Sequence, residues 1–154
     1  MSDYETKIQQ RFTYHGAGYE VVLHHVPMIK LGREWALNIN PSLIDRLIFE
    51  DLPRHPSRLT GNQVRFVRAY TGMTLKAFAE RFGVSHPAVK KWENAADGPT
   101  NMSWSTEKDI RLFVLMQSNA KAQEFQACYT KLVHEATGTP TPIHIDIETL
   151  AVAS

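Results

Sequence analysis

The chain has 154 residues, 43% of them apolar and 21% charged, with 17 Lys and Arg against 16 Asp and Glu, an ordinary balance for one or two small globular domains. No apolar run reaches the roughly 18 residues that a membrane span needs, and the polar opening MSDYETKIQQ does not read as a secretory leader, so a cytoplasmic location is expected. The single cysteine, Cys128, leaves no internal disulfide and no cysteine-based metal site.

Taken in order, residues 12–40 read as β structure. FTY and YEVVLHHV are rich in β-branched and aromatic residues, and HGAG separates them as a turn. In REWALNIN, Trp35, Leu37 and Ile39 alternate as on one face of a half-buried strand. The period then changes: Leu43, Leu47 and Ile48 in NPSLIDRLIFEDL, after a Ser/Pro start, predict a short helix. The two prolines of PRHPSR predict a linker over residues 53–59.

Helical signals follow to about residue 136. Thr60 is expected to cap a helix through Tyr70, Thr74 one to Phe82, and Ser85 one ending near Asn94 before ADGP. Ser105 is expected to open a fourth, in which Glu107 sits favourably in the first turn. KAQEFQACYTKLVHEATG predicts a fifth, with Cys128 as a small core residue beside Phe125 and Leu132. In the tail, Ile143, Ile145 and Ile147 alternate as in a strand. The expectation is an α+β chain. A small N-terminal β-rich α+β module covers 1–52, the linker 53–59, an all-α domain of about five helices 60–138, and a C-terminal strand and tail 139–154.

Charge is unevenly spread. Eight Lys and Arg but only one acid, Glu80, lie between Arg54 and Lys91, so that segment carries about +7 and the remainder about −6. A charge run is often only a solvated face. Here it coincides with TLKAFAERFGVSHPAVKKWEN, two amphipathic runs joined by GVS. Two helices crossing steeply over a short turn need a small residue at their contact, which Ala79 supplies. They also need a residue at ease in the left-handed conformation, which Gly83 supplies. Val84 is expected to plug the angle, with Phe78, Phe82, Val89 and Trp92 facing a core. With Ser85 as cap, His86, Pro87, Lys90 and Lys91 then point outward. That is helix-turn-helix geometry, in which the second helix enters the major groove of double-stranded DNA and cations meet phosphates. An ordinary αα-corner would use the same Ala–Gly spacing; the outward lysines and the local charge favour DNA.

LTGNQVRFVRAYTGMTLKAFAERFGVSHPAVKKWEN resembles the helix-turn-helix domain of the Cro/phage-repressor (XRE) family, over about residues 60–117. The resemblance implies a structural ion pair between Arg68 and Glu93, a base-reading role for Lys91, and His86 and Pro87 at the tip of the reading helix. Leu75 stands where many members have a glutamine, and Ala95 replaces the usual glycine after Asn94, which shifts the expected turn to Gly98. FTYHGAGYEVVLHHVPMI followed by PSRLTGNQVRFVR is also similar to the MqsA-type (YgiT-type) antitoxins. These repress their own operons as dimers and engage a toxin through an N-terminal zinc module. That module holds zinc with two CxxC pairs; no cysteine precedes Cys128 here, so neither metal nor other cofactor is expected.

The remaining constellations are weak. His24 and His25 are adjacent in a strand, so alternation places them on opposite faces, unable to share an ion. There is no HExxH, no Ser-His-Asp spacing and no Gly-rich phosphate loop, so no catalytic residue and no enzyme is expected. Trp104 is read as a cover for its loop. The residues expected at DNA are Thr74, Lys76, Ser85, His86, Pro87, Lys90, Lys91 and Asn94. The functional expectation is a homodimeric repressor on a palindromic operator, the antitoxin of a type II toxin–antitoxin operon with a toxin protein as partner and no membrane partner. The alternative is an XRE-type regulator whose N-terminal half senses a small ligand.

Overall fold

A computed structural model describes residues 4–148. The fold is α+β: four strands and six helices among the described residues. The chain divides into two compact units, residues 1–48 with 142–154, and residues 49–141.

The first unit is a four-stranded sheet built on β2 (Val21–Leu31). Strand β1 (Thr6–Tyr14) runs antiparallel along it, from Thr6 opposite Ile29 to Tyr14 opposite Val21. That occupies one side of β2, so β3 and β4 share the other. β3 (Glu34–Leu37) pairs antiparallel with Met28–Leu31, through a two-residue turn in which Gly32 takes φ 66. β4 (Ile143–Asp146) pairs parallel, Val21 opposite Ile143 and His24 opposite Asp146. Ile143, Ile145 and Ile147 are buried in this unit and do not form a free apolar face.

Val21, Val22 and Leu23 of β2 are all buried, as are Val26 and Met28, with half-buried His24 and His25 between them. His25 takes a left-handed φ of 55, a conformation foreign to a strand. Helix α1 (Pro41–Asp51) buries Ile44, Leu47 and Ile48, with Ile44 taking the place expected for Leu43. The Tyr14 hydroxyl donates to Asp45 Oδ1 at 3.1 Å, fastening the end of β1 to α1. Burial, reinforced by Asp45, pushes the Tyr14 pKa up to about 12.

The second unit holds α2 (Gly61–Tyr70), α3 (Leu75–Phe82), α4 (His86–Asn94), α5 (Trp104–Gln117) and α6 (Ala122–Lys131). Thr60 caps α2 in a reciprocal box with Gln63, while Thr74 and Ser85 cap α3 and α4. The cap of α5 is Ser103, not Ser105. Ser103 Oγ accepts the Thr106 amide, and starting two residues earlier brings Trp104 into the helix. The last helix stops at Lys131, short of the expected Gly138. Phe78, Val89, Ile110 and Val114 are almost wholly buried in the unit's core. Phe82 bridges Phe78 and Phe113 with ring centroids 4.7 and 5.4 Å apart. Each such side chain contributes about 1.5–3 kcal/mol before entropy is counted.

Residues 53–59, expected as a linker, are fastened down. Pro53, His55, Ser57 and Leu59 are all buried. The buried guanidinium of Arg111 donates to the carbonyl oxygens of Pro53, His55 and Ser57 and to Glu107 Oε2.

Candidate functional site

The site is assembled from the turn outward. Gly83 ends α3 at φ 67, ψ 32, and its amide and that of Val84 both close on the Ala79 carbonyl. Ala79 is buried beneath the turn, Val84 is half-buried in it, and Phe78, Phe82, Val89 and Trp92 lie inside. The next residue, Ser85, turns its hydroxyl to the Ala88 amide and starts α4 at once.

All eight residues expected at DNA are exposed: Thr74 and Lys76 at the start of α3, and Ser85, His86, Pro87, Lys90, Lys91 and Asn94 along α4. On α4 the spacings 86–90, 87–91 and 90–94 are one helical turn each, so these side chains share one broad face. The hydroxyls of Thr74 and Ser85 are committed to capping.

The basic segment is less free than its count suggests. Arg58 reaches Glu107 and Glu135, Arg65 and Arg68 reach Glu93, and Arg81 lies 3.5 Å from Asp109. Lys76, Lys90 and Lys91 have no acidic partner within ion-pair distance among the described residues. Of the segment's four cations without an ion pair among the described residues, Arg54 precedes α2 and the other three lie on α3 and α4.

Glu93 holds the frame from behind. Arg68 donates to both its oxygens, at 2.6 and 2.9 Å, and to the Met73 carbonyl. The hydrogen bond to Glu93 raises the Arg68 pKa. Arg65 adds a 3.3 Å bond to the same carboxylate, so α2 is fixed to the buried side of α4. A Cβ on Gly61 would meet the Trp92 carbonyl at 2.2 Å; the start of α2 lies directly on the end of α4. The turn after α4 is closed as expected at Gly98, whose amide donates to the Ala95 carbonyl at 2.8 Å, but its left-handed residue is not a glycine. Ala96 takes φ 53, and its carbonyl accepts from the Asn62 amide at 2.9 Å.

Sequence reasoning missed the Arg58–Glu107–Arg111 cluster behind α5. The Glu107 carboxylate is completely buried and receives Arg58 Nε, Arg111 Nε and Nη2, and the Leu59 amide. Glu107 carries a structural load that its first-turn position did not reveal. Beside it, His55 Nε2 sits 2.8 Å from Ser57 Oγ. Burial, with a smaller contribution from Arg111, lowers the His55 pKa to about 4, so it is neutral at pH 7. Trp104 donates its indole N–H to the Leu132 carbonyl at 3.0 Å and faces Arg58 and Arg111.

In the sheet unit, His24 and His25 make separate contacts. His24 Nε2 meets His144 Nδ1 at 2.8 Å with the rings stacked. The left-handed backbone turns His25 to Asp146, 3.0 Å from both oxygens, with Glu148 Oε2 at 3.8 Å. These three residues are the group among those described whose donor atoms lie close enough, within 4.8 Å, to hold a metal ion. The hydrogen bond to Asp146 raises the His25 pKa and favours imidazolium, which competes with a cation for the same carboxylates.

Among the described residues, no helix is long and apolar enough to cross a membrane. No family model, curated protein or solved structure matches the chain.

Proposed function

We propose that the chain is a sequence-specific, homodimeric DNA-binding repressor of XRE/Cro type. Following its likeness to MqsA-type proteins, we assign it as the antitoxin of an operon whose promoter it controls. One observation carries the DNA reading: three lysines without acidic partners among the described residues, Lys76, Lys90 and Lys91, stand exposed on the two helices joined by the Gly83 turn. On this reading α4 lies in the major groove. Lys91 reaches base edges, His86 and Pro87 lead at the tip, and Lys90 and Asn94 flank the strand. The start of α3, with Lys76, meets a phosphate, where helix-terminal amides and a cation act together. The pair of half-buried Arg68 with buried Glu93 sets the angle of the reading helix without touching DNA.

A single reading helix covers too few base pairs for useful specificity, so the active species is a dimer. Met116, Tyr129 and Val133, exposed around α5 and α6, are the apolar side chains offered for its interface. Selection of the full-length protein against a random duplex pool tests the reading. It should enrich a near-palindrome with half-sites about one helical turn, ~10 bp, apart or a multiple of it. A pool that stays random after repeated rounds would remove the assignment.

A further inference from the structure

The helical unit contains a cavity of about 430 Å³ that the DNA reading leaves unused, within the range of small-ligand sites. Its apolar lining comes from Pro53, Pro56, Trp104, Cys128 and Leu132. Its charged lining is cationic in excess: Arg54, Lys131 and the Glu107-paired Arg111 stand with Glu124, while Glu135 is already paired with Arg58, and His134 adds a polar ring. Neither Lys131 nor His134 has a side-chain partner among the described residues, and Arg54 spends one N–H on the Glu50 carbonyl at 2.9 Å.

The walls are fixed in advance. Arg111, whose donors are all engaged, holds the 53–57 backbone in place. The indole N–H of Trp104 holds the Leu132 end of α6. A rigid wall spares a ligand the ordering cost of making its own site. The field on the floor has a definite sign: burial raises the Cys128 pKa, while Arg54, Arg111 and Lys131 each oppose that rise.

We propose that this cavity binds a small monocarboxylate with an aromatic or apolar body, the ring against Trp104, Pro53 and Leu132 and the carboxylate at Arg54 and Lys131. An apolar floor alone would accept any hydrophobe; the rim cations Arg54 and Lys131, neither of them in an ion pair among the described residues, select the anion, because a charge-assisted hydrogen bond outweighs a neutral one. Glu124 on the same rim disfavours dianions. The site is independent of the DNA assignment and stands or falls separately from it.

The only cysteine of the chain lies in this cavity, so its modification reports on the site alone. The probe is 2-naphthoate, compared with the neutral 2-naphthamide, on the full-length protein. Calorimetry measures binding, and intact-protein mass spectrometry follows modification of Cys128 by methyl methanethiosulfonate. Naphthoate should bind saturably and slow the modification several-fold, with the amide about tenfold weaker. R54A and K131A, both at exposed positions, should each weaken naphthoate about tenfold without moving the melting temperature of the free protein. The proposal is overturned by absence of saturable binding at low-millimolar naphthoate, by equal binding of the amide, by binding that leaves Cys128 unprotected, or by binding indifferent to both variants.

Discussion

At the residue scale, three positions carry costs that the surrounding fold compensates. Ala96 is left-handed without being glycine, a conformation that costs a side chain about 1–2 kcal/mol. Ala96→Gly should therefore stabilise the protein by about 0.5–1 kcal/mol, once the greater freedom of glycine in the unfolded chain is set against the relief. Chemical denaturation measures it, and a loss of stability would show that the alanine methyl matters to packing. Glu107 holds two arginines, one of them almost fully buried. Glu107→Ala strands that charge and should cost about 3–5 kcal/mol; a loss under about 1 kcal/mol in the same experiment would contradict the cluster's role. His55 makes stability depend on pH. Folding lowers its pKa from the ordinary value near 6.5 to about 4, so the unfolded chain takes up the proton more readily. The contribution is complete above about pH 6.5 and falls away as the pH drops towards about 4. Melting temperatures across that window should fall less steeply for His55→Gln, whose amide can still reach Ser57; equal slopes would refute the assignment.

At the element scale, what the sequence disclosed was local chemistry. Thr60, Thr74 and Ser85 announce the starts of three helices because a cap and the amide it serves are three residues apart. Gly83 announces the turn because the left-handed region favours glycine. Ser103 and Ser105 offer the same hydroxyl, and only packing of Trp104 against Leu132 and the two arginines chooses the earlier one. The features that stayed hidden join distant residues. Arg111 meets carbonyls 54 to 58 positions away, and β4 joins β2 across about 120 residues. The left-handed turn at His25 has no glycine or asparagine to signal it, so Asp146 and Glu148 could not be foreseen as its neighbours. Within the candidate site, the outward face of α4 was legible from helical period alone, whereas the neutralisation of Arg58, Arg65 and Arg81 by acids elsewhere was not. That distinction sets the prediction for α4: Lys91→Ala should cost about 1–3 kcal/mol on the selected duplex and far less on random DNA. Equal losses on both would make Lys91 a phosphate contact.

At the scale of the whole molecule, a chain with a net charge of +1 sets Lys76, Lys90 and Lys91 together on one helix pair, none of them ion-paired among the described residues. On the proposed reading this cluster meets a polyanion. A dimer presenting Lys76 and Lys90 twice displaces about four counterions, which fixes the expected salt dependence. The most direct test is fluorescence anisotropy of the full-length protein on the selected duplex and on a scrambled duplex, across a series of salt concentrations. The account predicts that log affinity falls with log salt at a slope of about −4, and that the selected duplex binds at least about 10³-fold more tightly than the scrambled one. Affinity that is independent of salt, or equal for the two duplexes, would contradict it.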